Sequence, residues 1–124
     1  MSTTRPALIS PSELWLVDFG DPYPGEPTFR RPALVVGPPE TFGELFPLVL
    51  VAPLTTRPIA LSLRVEIEAT ERSGITRTSY VQAEALRSIA KSRLVHRLGR
   101  VDALEMRAVR TIVARILDFH PRAV

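Results

Sequence analysis

The segment Pro24-Gly25-Glu26-Pro27-Thr28-Phe29-Arg30-Arg31-Pro32-Ala33-Leu34-Val35-Val36 joins a turn-rich loop to an apolar run. The loop carries one carboxylate, Glu26, and two arginines stand just before the apolar residues. Such a run is typical of a buried strand, and a proline is tolerated at the first residue of a strand. A second segment, Val49-Leu50-Val51-Ala52-Pro53-Leu54-Thr55-Thr56, repeats the design and ends in two hydroxyl side chains. We therefore expect two strands to bring an arginine and a threonine to one rim and form a phosphate-sized site.

The other apolar segments predict a single, mainly β domain. Residues 13–19 are almost continuously apolar and predict a first strand buried on both faces, whereas residues 63–68 alternate and predict a half-exposed strand. Further strands are expected over residues 33–37, 47–54 and 79–90, with one or two strands in the last range. Several short strands followed by one helix predict a small antiparallel barrel or curled sheet on which the helix packs. Residues 1–11 are predicted to be a flexible arm, which leaves residues 12–120 as the domain.

The closing segment carries the clearest helical pattern. Asp102 can act as the N-cap, Glu105 stands three residues later as in a capping box, and Pro121 ends the segment. Six aliphatic side chains recur at helical spacing and predict one apolar face: Leu104, Val109, Ile112, Val113, Ile116 and Leu117. The residues before this helix, 91–100, form a basic run.

The composition is that of an ordinary globular protein with a strong preference for arginine. The chain has 124 residues, of which 45% are hydrophobic and 23% charged, with a net charge of +3; this size suits one domain with one core. Lys91 is the only lysine, and the guanidinium of arginine pairs with phosphate through two hydrogen bonds. A GC-rich codon preference would produce the same excess, so the composition permits a nucleic-acid ligand without requiring one.

Two classes of protein are excluded or disfavoured by what the sequence lacks. Cysteine is absent, which excludes disulfides and thiolate metal sites. No apolar run approaches the roughly 20 residues of a membrane span, and the N-terminus lacks the apolar region of a signal peptide. We therefore expect a protein of the cytoplasm.

Four short motifs occur in order along the chain: Leu14-Trp15-Leu16-Val17-Asp18-Phe19, Gly25-Glu26, Arg31-Pro32-Ala33-Leu34-Val35-Val36 and Ala52-Pro53-Leu54-Thr55-Thr56. Three later segments continue the pattern: Ser79-Tyr80-Val81, Leu86-Arg87-Ser88-Ile89, and Arg93-Leu94 followed by Gly99. Together they resemble the MazF/PemK (Kid) family of toxin endoribonucleases over residues 13–117. The resemblance implies an SH3-like antiparallel barrel of the CcdB/MazF/Kid type, assembled as a homodimer. It also implies metal-independent, sequence-selective cleavage of single-stranded RNA, restrained by a cognate acidic antitoxin.

The resemblance assigns roles to three residues. The arginine of the family's Arg-Pro motif falls on Arg31, its threonine after the third strand on Thr55, and its loop carboxylate on Glu26. Arg31 and Thr55 would hold the scissile phosphate and stabilise the negative charge that develops when the 2′-OH attacks it. Glu26 would either accept the 2′-OH proton or hold Arg31 through a salt bridge, and both roles stay open. No spacing of His, Asp and Glu typical of a metal site is present, so no metal and no cofactor is expected.

A second candidate base lies further along the chain. Some relatives place an acid/base pair on the strand that corresponds to residues 81–85, where this chain has Gln82 and Glu84. The strand period predicts that the two side chains share a face, so Glu84 is the alternative to Glu26 as the base. Because Gln82 cannot carry a proton, a mechanism with a charged partner there is in doubt, and we expect Gln82 to contact RNA. Many relatives have glutamine at the position of Pro27, so the preference for particular nucleotides in the RNA is in doubt as well.

Other side chains are expected to contact RNA away from the scissile phosphate. Phe29 is a loop aromatic suited to stacking on a base, whereas Trp15 is expected in the core or at an interface. The remaining predicted contacts are Arg30, Thr56, Arg57 and Arg87. His96 and His120 are residue types that often act as bases, but the basic run and the tail predict that both are solvated bystanders.

Two other functions fit parts of the pattern. A non-catalytic barrel of the same fold, such as the CcdB type that poisons DNA gyrase, depends on an aromatic C-terminal end, and the Arg31/Thr55 pair has no purpose in it. A barrel that only binds RNA or protein would lose affinity, and not a reaction rate, when Arg31 is replaced.

Overall fold

The computed structural model describes residues 9–20, 29–58 and 63–119. Within these ranges the chain forms seven strands and one C-terminal helix. The strands are β1 (Glu13–Asp18), β2 (Arg30–Gly37), β3 (Leu48–Thr55), β4 (Arg64–Ile67), β5 (Ser79–Gln82), β6 (Arg87–Ala90) and β7 (Leu94–Arg100). The helix is α1 (Ala103–Ile116), and single 3-10 turns occur at Glu40–Phe42, Ala83–Ala85 and Lys91–Arg93. The mainly antiparallel β fold with one C-terminal helix confirms the predicted class.

The sheet is curled because of the way its strands are connected. The described strand pairs are all antiparallel, in the order β4-β5-β3-β2-β1-β7, and β6 pairs with the first half of β3. β6 and β7 are thus the two outer strands of the five-strand segment β6-β3-β2-β1-β7, yet only the turn Lys91–Arg93 joins them. A three-residue link spans at most about 14 Å, whereas four strand spacings in a flat sheet amount to about 19 Å. The link therefore requires a curled, barrel-like sheet.

Two apolar clusters cover the two faces of the sheet. The first lies between the sheet and α1 and contains Leu14, Leu34, Ala52, Met106 and Val109 among others. The second, on the face directed away from α1, is formed by Trp15, Val17, Phe19, Ala33, Val35, Val49, Val51 and Ile89. Successive side chains of a strand point to opposite faces, so odd-numbered residues of β1, β2 and β3 belong to this second face. We call it the distal face.

The helix begins at the predicted cap. The Asp102 side chain accepts a hydrogen bond from the Glu105 N–H at 2.7 Å, and the Glu105 side chain accepts one from the Asp102 N–H at 2.8 Å, which completes the capping box. Met106, Val109 and Ile112 form its buried side. Leu104, Ile116 and Leu117 are 73%, 44% and 67% exposed, so their predicted place on the buried apolar face is wrong. Leu104 lies two positions, about 200°, around the helix from Met106, and Ile116 and Leu117 stand at its end. No helix in the described ranges is long and apolar enough to cross a membrane.

β7 is the strand that the sequence did not reveal. Its seven residues, Leu94-Val95-His96-Arg97-Leu98-Gly99-Arg100, are exposed or half-buried and show no strict alternation of apolar and polar side chains. Pairing with β1 and an ion pair of 2.8 Å between Arg97 and Glu13 hold it in the sheet. Just before β1, Ile9 packs on the distal cluster and the Ser10 N–H donates to Glu13.

Candidate active site

Arg31 and Thr55 meet at one end of the β2–β3 pair. Ala33 pairs with Pro53, and continuing this antiparallel register by two residues brings Arg31 level with Thr55. Residues directly opposite in such a ladder have Cβ atoms about 5 Å apart. Both positions are odd-numbered and half-buried, so the two side chains share the distal face. The expectation that an arginine and a threonine reach one rim agrees with this register.

The same face continues across β5 and β4. Thr55 pairs with Tyr80, and Gln82 pairs with Arg64, whereas the intervening Val81 belongs to the cluster under the helix. By alternation, these four polar side chains lie on the distal face with Arg31. The result is a continuous polar surface over the ends of four strands.

The backbone after β3 orients the Thr55 hydroxyl. The N–H of Arg57 donates a hydrogen bond to Thr55 Oγ1 at 3.2 Å. A hydroxyl oxygen that accepts here still has its own proton to donate. Thr55 can therefore donate to an anion that lies beside Arg31.

Arg31 carries a positive charge without a counter-charge among the described residues. Burial lowers the pKa of its guanidinium, and the nearby positive charge of Arg57 lowers that pKa further. The Nε of Arg31 is buried and has no hydrogen-bond partner in the described part of the chain. Because the buried Nε lacks a partner among the described residues, an anion that reaches this point gains more than it would at a fully exposed arginine. The geometry suits a phosphate.

Glu84 does not stand on a strand, which corrects the expectation that Gln82 and Glu84 share a strand face. β5 ends at Gln82, and Ala83–Ala85 form a 3-10 turn closed by a hydrogen bond from the Leu86 N–H to the Ala83 carbonyl. Alanine and glutamate are strong helix formers and weak strand formers, which explains the early end of the strand. From this turn Glu84 reaches Arg64 in an ion pair of 2.8 Å.

Some of the predicted RNA contacts border the polar surface, and the others lie at the start of β2 or after β3. Arg87 and Arg57 border the polar surface: Arg87 pairs with Val51 across the sheet and lies 5.6 Å from the ring centroid of Phe19. Phe29 is 56% exposed just before β2, and Arg30 lies beside Asp18 with 3.9 Å between Nε and the carboxylate. Thr56 is exposed after β3. Glu26 and Pro27 lie outside the described residues.

Two residues of this surface were not predicted, Arg64 and Tyr80. The side chain of Arg64 is only 6% exposed, and the Tyr80 hydroxyl donates to Glu66 at 3.4 Å. The alternation in residues 63–68 already indicated a polar face that includes Arg64, but not that this face joins Arg31. His96 is exposed on β7, away from this surface, and His120 lies outside the described residues. In the part of the chain that is described, no group of His, Asp and Glu side chains could hold a metal ion.

An apolar groove lies at the opposite end of the same strands. It has a volume of about 610 Å³ and is bordered by Trp15, Gly37, Phe46, Leu48 and Val49 among others. Gly37 ends β2 and Leu48 begins β3, so the groove and the Arg31–Thr55 pair are separated by the length of these strands. The polar surface is therefore a site of its own.

Solved structures share this fold. MazF from Deinococcus radiodurans superposes with a TM-score of 0.78 at 24% identity, covering 92% of this chain and 100% of that one. A MazE–MazF complex from the same organism gives 0.73 at 24% identity, covering 93% and 100%. An endoribonuclease bound to its cognate antitoxin, from a mycobacterial species, gives 0.74 at 19% identity, again covering 93% and 100%. The architecture is thus that of the MazF toxins.

The sequence itself carries the family assignment. The model of the family described as PemK-like, MazF-like toxin of type II toxin–antitoxin systems matches residues 10–117, which is nearly the whole chain. The protein belongs to this family of toxins. The resemblance noted in the sequence motifs is confirmed.

Proposed function

We propose that this toxin is a sequence-selective endoribonuclease that cleaves single-stranded RNA without a metal ion. One observation carries the proposal: the Ala33–Pro53 register, continued by two residues, brings Arg31 level with Thr55, and the buried Nε of Arg31 has no hydrogen-bond partner among the described residues. An RNA phosphodiester supplies the missing negative charge. The family membership supports the same activity, because one relative of this fold is named an endoribonuclease.

The two side chains suit attack by the neighbouring 2′-OH. The 2′-oxygen forms a bond to phosphorus while the bond from phosphorus to the 5′-oxygen breaks, which leaves a 2′,3′-cyclic phosphate and a 5′-hydroxyl. Arg31 holds the phosphate in line with two N–H donors and stabilises its growing charge, and the Thr55 hydroxyl donates to another phosphate oxygen. With these two donors, the protein's own side chains stabilise the charge on the phosphate.

The reaction also moves two protons. A base takes the proton of the 2′-OH, and an acid protonates the departing 5′-oxygen. Glu26 and Glu84 are the two candidate bases, and Glu84 is already engaged by Arg64. Gln82 cannot transfer a proton, so it serves as a hydrogen-bonding residue for the RNA.

The surroundings of the pair supply the RNA surface. Arg57 stands next to Arg31, Arg87 lies further along the same face, and exposed Phe29 offers a ring on which a base can stack. Arg30 and Thr56 extend the surface at its edge. We propose that these side chains select the sequence at which RNA is cut.

Partners follow from the same chemistry. We propose that a cognate antitoxin binds through an acidic extended segment, since solved relatives include complexes with antitoxins. We also propose a homodimer acting in the cytoplasm, where its RNA is found. The mass in solution at micromolar concentration tests the dimer, and a monomeric mass would contradict it.

The direct experiment is incubation of the purified toxin with a long single-stranded RNA in EDTA. We expect discrete fragments with 2′,3′-cyclic phosphate ends, and a rate lower by roughly 100-fold or more for Arg31→Ala, as for the loss of one charge-stabilising donor. Arg72→Ala is the matched control, because Arg72 is 57% exposed and pairs with Asp102 at 3.8 Å, away from the polar surface.

Three outcomes separate the alternatives. Fragments from the wild type and from Arg72→Ala, but not from Arg31→Ala, establish the endoribonuclease. Intact RNA that is tightly bound indicates a binding module. Intact RNA without binding indicates the gyrase-poison type of barrel or a test RNA that lacks the target sequence.

A further inference from the structure

Arg64 is buried in a way that is unusual for an arginine on a short edge strand. Its side chain is 6% exposed; Nη2 donates to Glu84 Oε1 at 2.8 Å and Nη1 donates to the Arg57 carbonyl at 3.4 Å. Its Nε is buried and has no partner among the described residues. Burial of a guanidinium with incomplete hydrogen bonding contributes little to stability. The contacts of Arg64 are therefore better explained by a role in positioning neighbouring groups than by a contribution to the stability of the fold.

These contacts reach the candidate catalytic threonine through one residue. Arg64 holds the carbonyl of Arg57, and the N–H of Arg57 donates to Thr55 Oγ1. The two bonds lie on either side of the Arg57 Cα, so together they restrict its backbone. Glu84 fixes the guanidinium at the other end. A continuous chain of hydrogen bonds thus runs from Glu84 through Arg64 and Arg57 to Thr55.

We propose that Arg64, anchored by Glu84, is a positioning residue of the cleavage site. By holding the Arg57 backbone, it keeps the Thr55 hydroxyl directed at the phosphate and the Arg57 side chain beside Arg31. The inference rests on the proposed ribonuclease activity and deepens it. It also assigns Glu84 a role other than that of the general base: its carboxylate anchors Arg64 and transfers no proton.

The arrangement explains why the position requires arginine. The fork of a guanidinium presents separate N–H groups to the carboxylate and to the carbonyl, whereas lysine offers one compact ammonium. Arg64→Lys can keep the contact with Glu84 but does not reproduce both directions. We therefore expect it to restore part of the activity that Arg64→Met loses.

The decisive kinetic test uses single-stranded RNA in EDTA with the wild type, Arg64→Met, Glu84→Gln and the double variant. We expect kcat to fall about 10- to 100-fold in Arg64→Met, with KM within about threefold, because misplacement of a reacting group affects the transition state most. The double variant should be no slower than Arg64→Met, since both changes break one chain. In a Thr55→Val background, Arg64→Met should lower kcat by a much smaller factor than in the wild type, because the hydroxyl that it positions is already gone.

The pH profile separates positioning from proton transfer. In an Arg64→Met background the anchoring contact is absent, so if Glu84 only positions Arg64, adding Glu84→Gln leaves the pH profile of kcat unchanged there. If Glu84 is the base, the limb of the profile that belongs to it disappears, and the proposal is overturned. Arg72→Met, which removes an exposed arginine from an ion pair elsewhere, should retain the wild-type kcat and KM.

A second measurement tests the chain of hydrogen bonds without relying on catalysis. Amide hydrogen exchange at Arg57 should speed up several-fold in Arg64→Met and in Glu84→Gln, and not in Arg72→Met. If Arg64→Met does not fold, Glu84→Gln breaks the chain at its half-exposed end and serves in its place. Unchanged exchange at Arg57 overturns the positioning role.

Failure of the two proposals looks different. A wild type that leaves every RNA intact contradicts the ribonuclease, whatever the exchange at Arg57 shows. A wild type that cleaves RNA, with a wild-type kcat retained in Arg64→Met, contradicts the positioning role alone.

Discussion

Arg31 lies beside Arg57, and the charge of Arg57 adds to burial in lowering the pKa of the Arg31 guanidinium. Two like charges at one end of the β2–β3 pair repel each other, and no described carboxylate is paired with Arg31. Such an arrangement is unfavourable in the free protein and is relieved when an anion binds between the charges. The folded toxin is thus prepared for a polyanionic ligand at this point.

Inorganic phosphate should therefore stabilise the folded toxin. Anions that bind only the folded state raise its stability by mass action, and we expect the Tm of the wild type to rise by about 2–4 °C at saturating phosphate. Sodium chloride of the same ionic strength is the control for general salt effects. Arg31→Ala should respond equally to phosphate and to chloride; an equal response in the wild type would contradict an anion site at Arg31.

Replacement of Arg57 should weaken RNA binding more than it slows the reaction. Its side chain is exposed, and in the proposed mechanism it would offer a charge next to the scissile phosphate without holding that phosphate in line. We expect Arg57→Ala to raise KM several-fold and to lower the slope of log affinity against log salt by about one unit. Arg72→Ala should change neither quantity. A loss confined to kcat would show instead that Arg57 acts in the chemical step.

The pH dependence distinguishes arginine from lysine at position 31. Although its pKa is lowered, an arginine stays protonated in both the folded and the unfolded chain from about pH 6 to 9, so it contributes no titration there. Lysine starts from a pKa of about 10.4, and burial beside Arg57 would lower it further. Arg31→Lys should therefore lose activity as pH rises through the upper part of this range, which a profile of kcat/KM will show. The wild type and Arg72→Lys should lack that alkaline limb.

Structural features that depend on residues close together in the chain could be predicted from the sequence. The capping box needs only Asp102 and Glu105, three residues apart, and both of its bonds form. Residues 14–17 of β1 and 48–54 of β3 are continuously apolar. Leu104 was assigned wrongly because helical spacing alone does not say which side of the helix the sheet covers.

Structural features that depend on residues far apart in the chain could not be predicted from the sequence. That Arg31 and Thr55 end neighbouring strands follows from their positions, but their level register depends on pairs such as Ala33 with Pro53 across the sheet. The ion pair between Arg64 and Glu84 joins residues from a strand and a separate turn, and neither motif indicates the other. β7 is held by its partner β1, so its own residues carry no clear strand pattern.

Gly74 should be indispensable to the fold, whereas Gly43 should not. Both have a positive φ, of +68° and +85°, but a Cβ on Gly74 would stand 1.9 Å from the Leu98 carbonyl oxygen, and one on Gly43 would meet nothing within 4 Å. We expect Gly74→Ala to lower the free energy of unfolding by about 3 kcal/mol or more and Gly43→Ala by about 1 kcal/mol. Urea unfolding monitored by circular dichroism measures both. Equal losses would show that the close contact with Leu98 relaxes freely.

An acidic antitoxin segment should compete with RNA for the surface around Arg31. Both ligands are extended polyanions, and the neighbouring positive charges of Arg31 and Arg57 attract each of them. We expect an acidic peptide from the cognate antitoxin to raise the apparent KM for RNA and to leave kcat unchanged. Arg57→Ala should weaken the peptide and the RNA by similar factors.

The control is a peptide of the same composition in scrambled order, which keeps the charge but not the specific sequence. We expect this peptide to bind only weakly, through its charge. Chemical-shift changes on adding the cognate peptide should fall on β2, β3 and the residues around Arg57. A peptide that binds tightly, leaves cleavage untouched and shifts only residues far from Arg31 would mean that inhibition works from another surface. In that case the charge pair at the end of β2 and β3 would serve RNA alone.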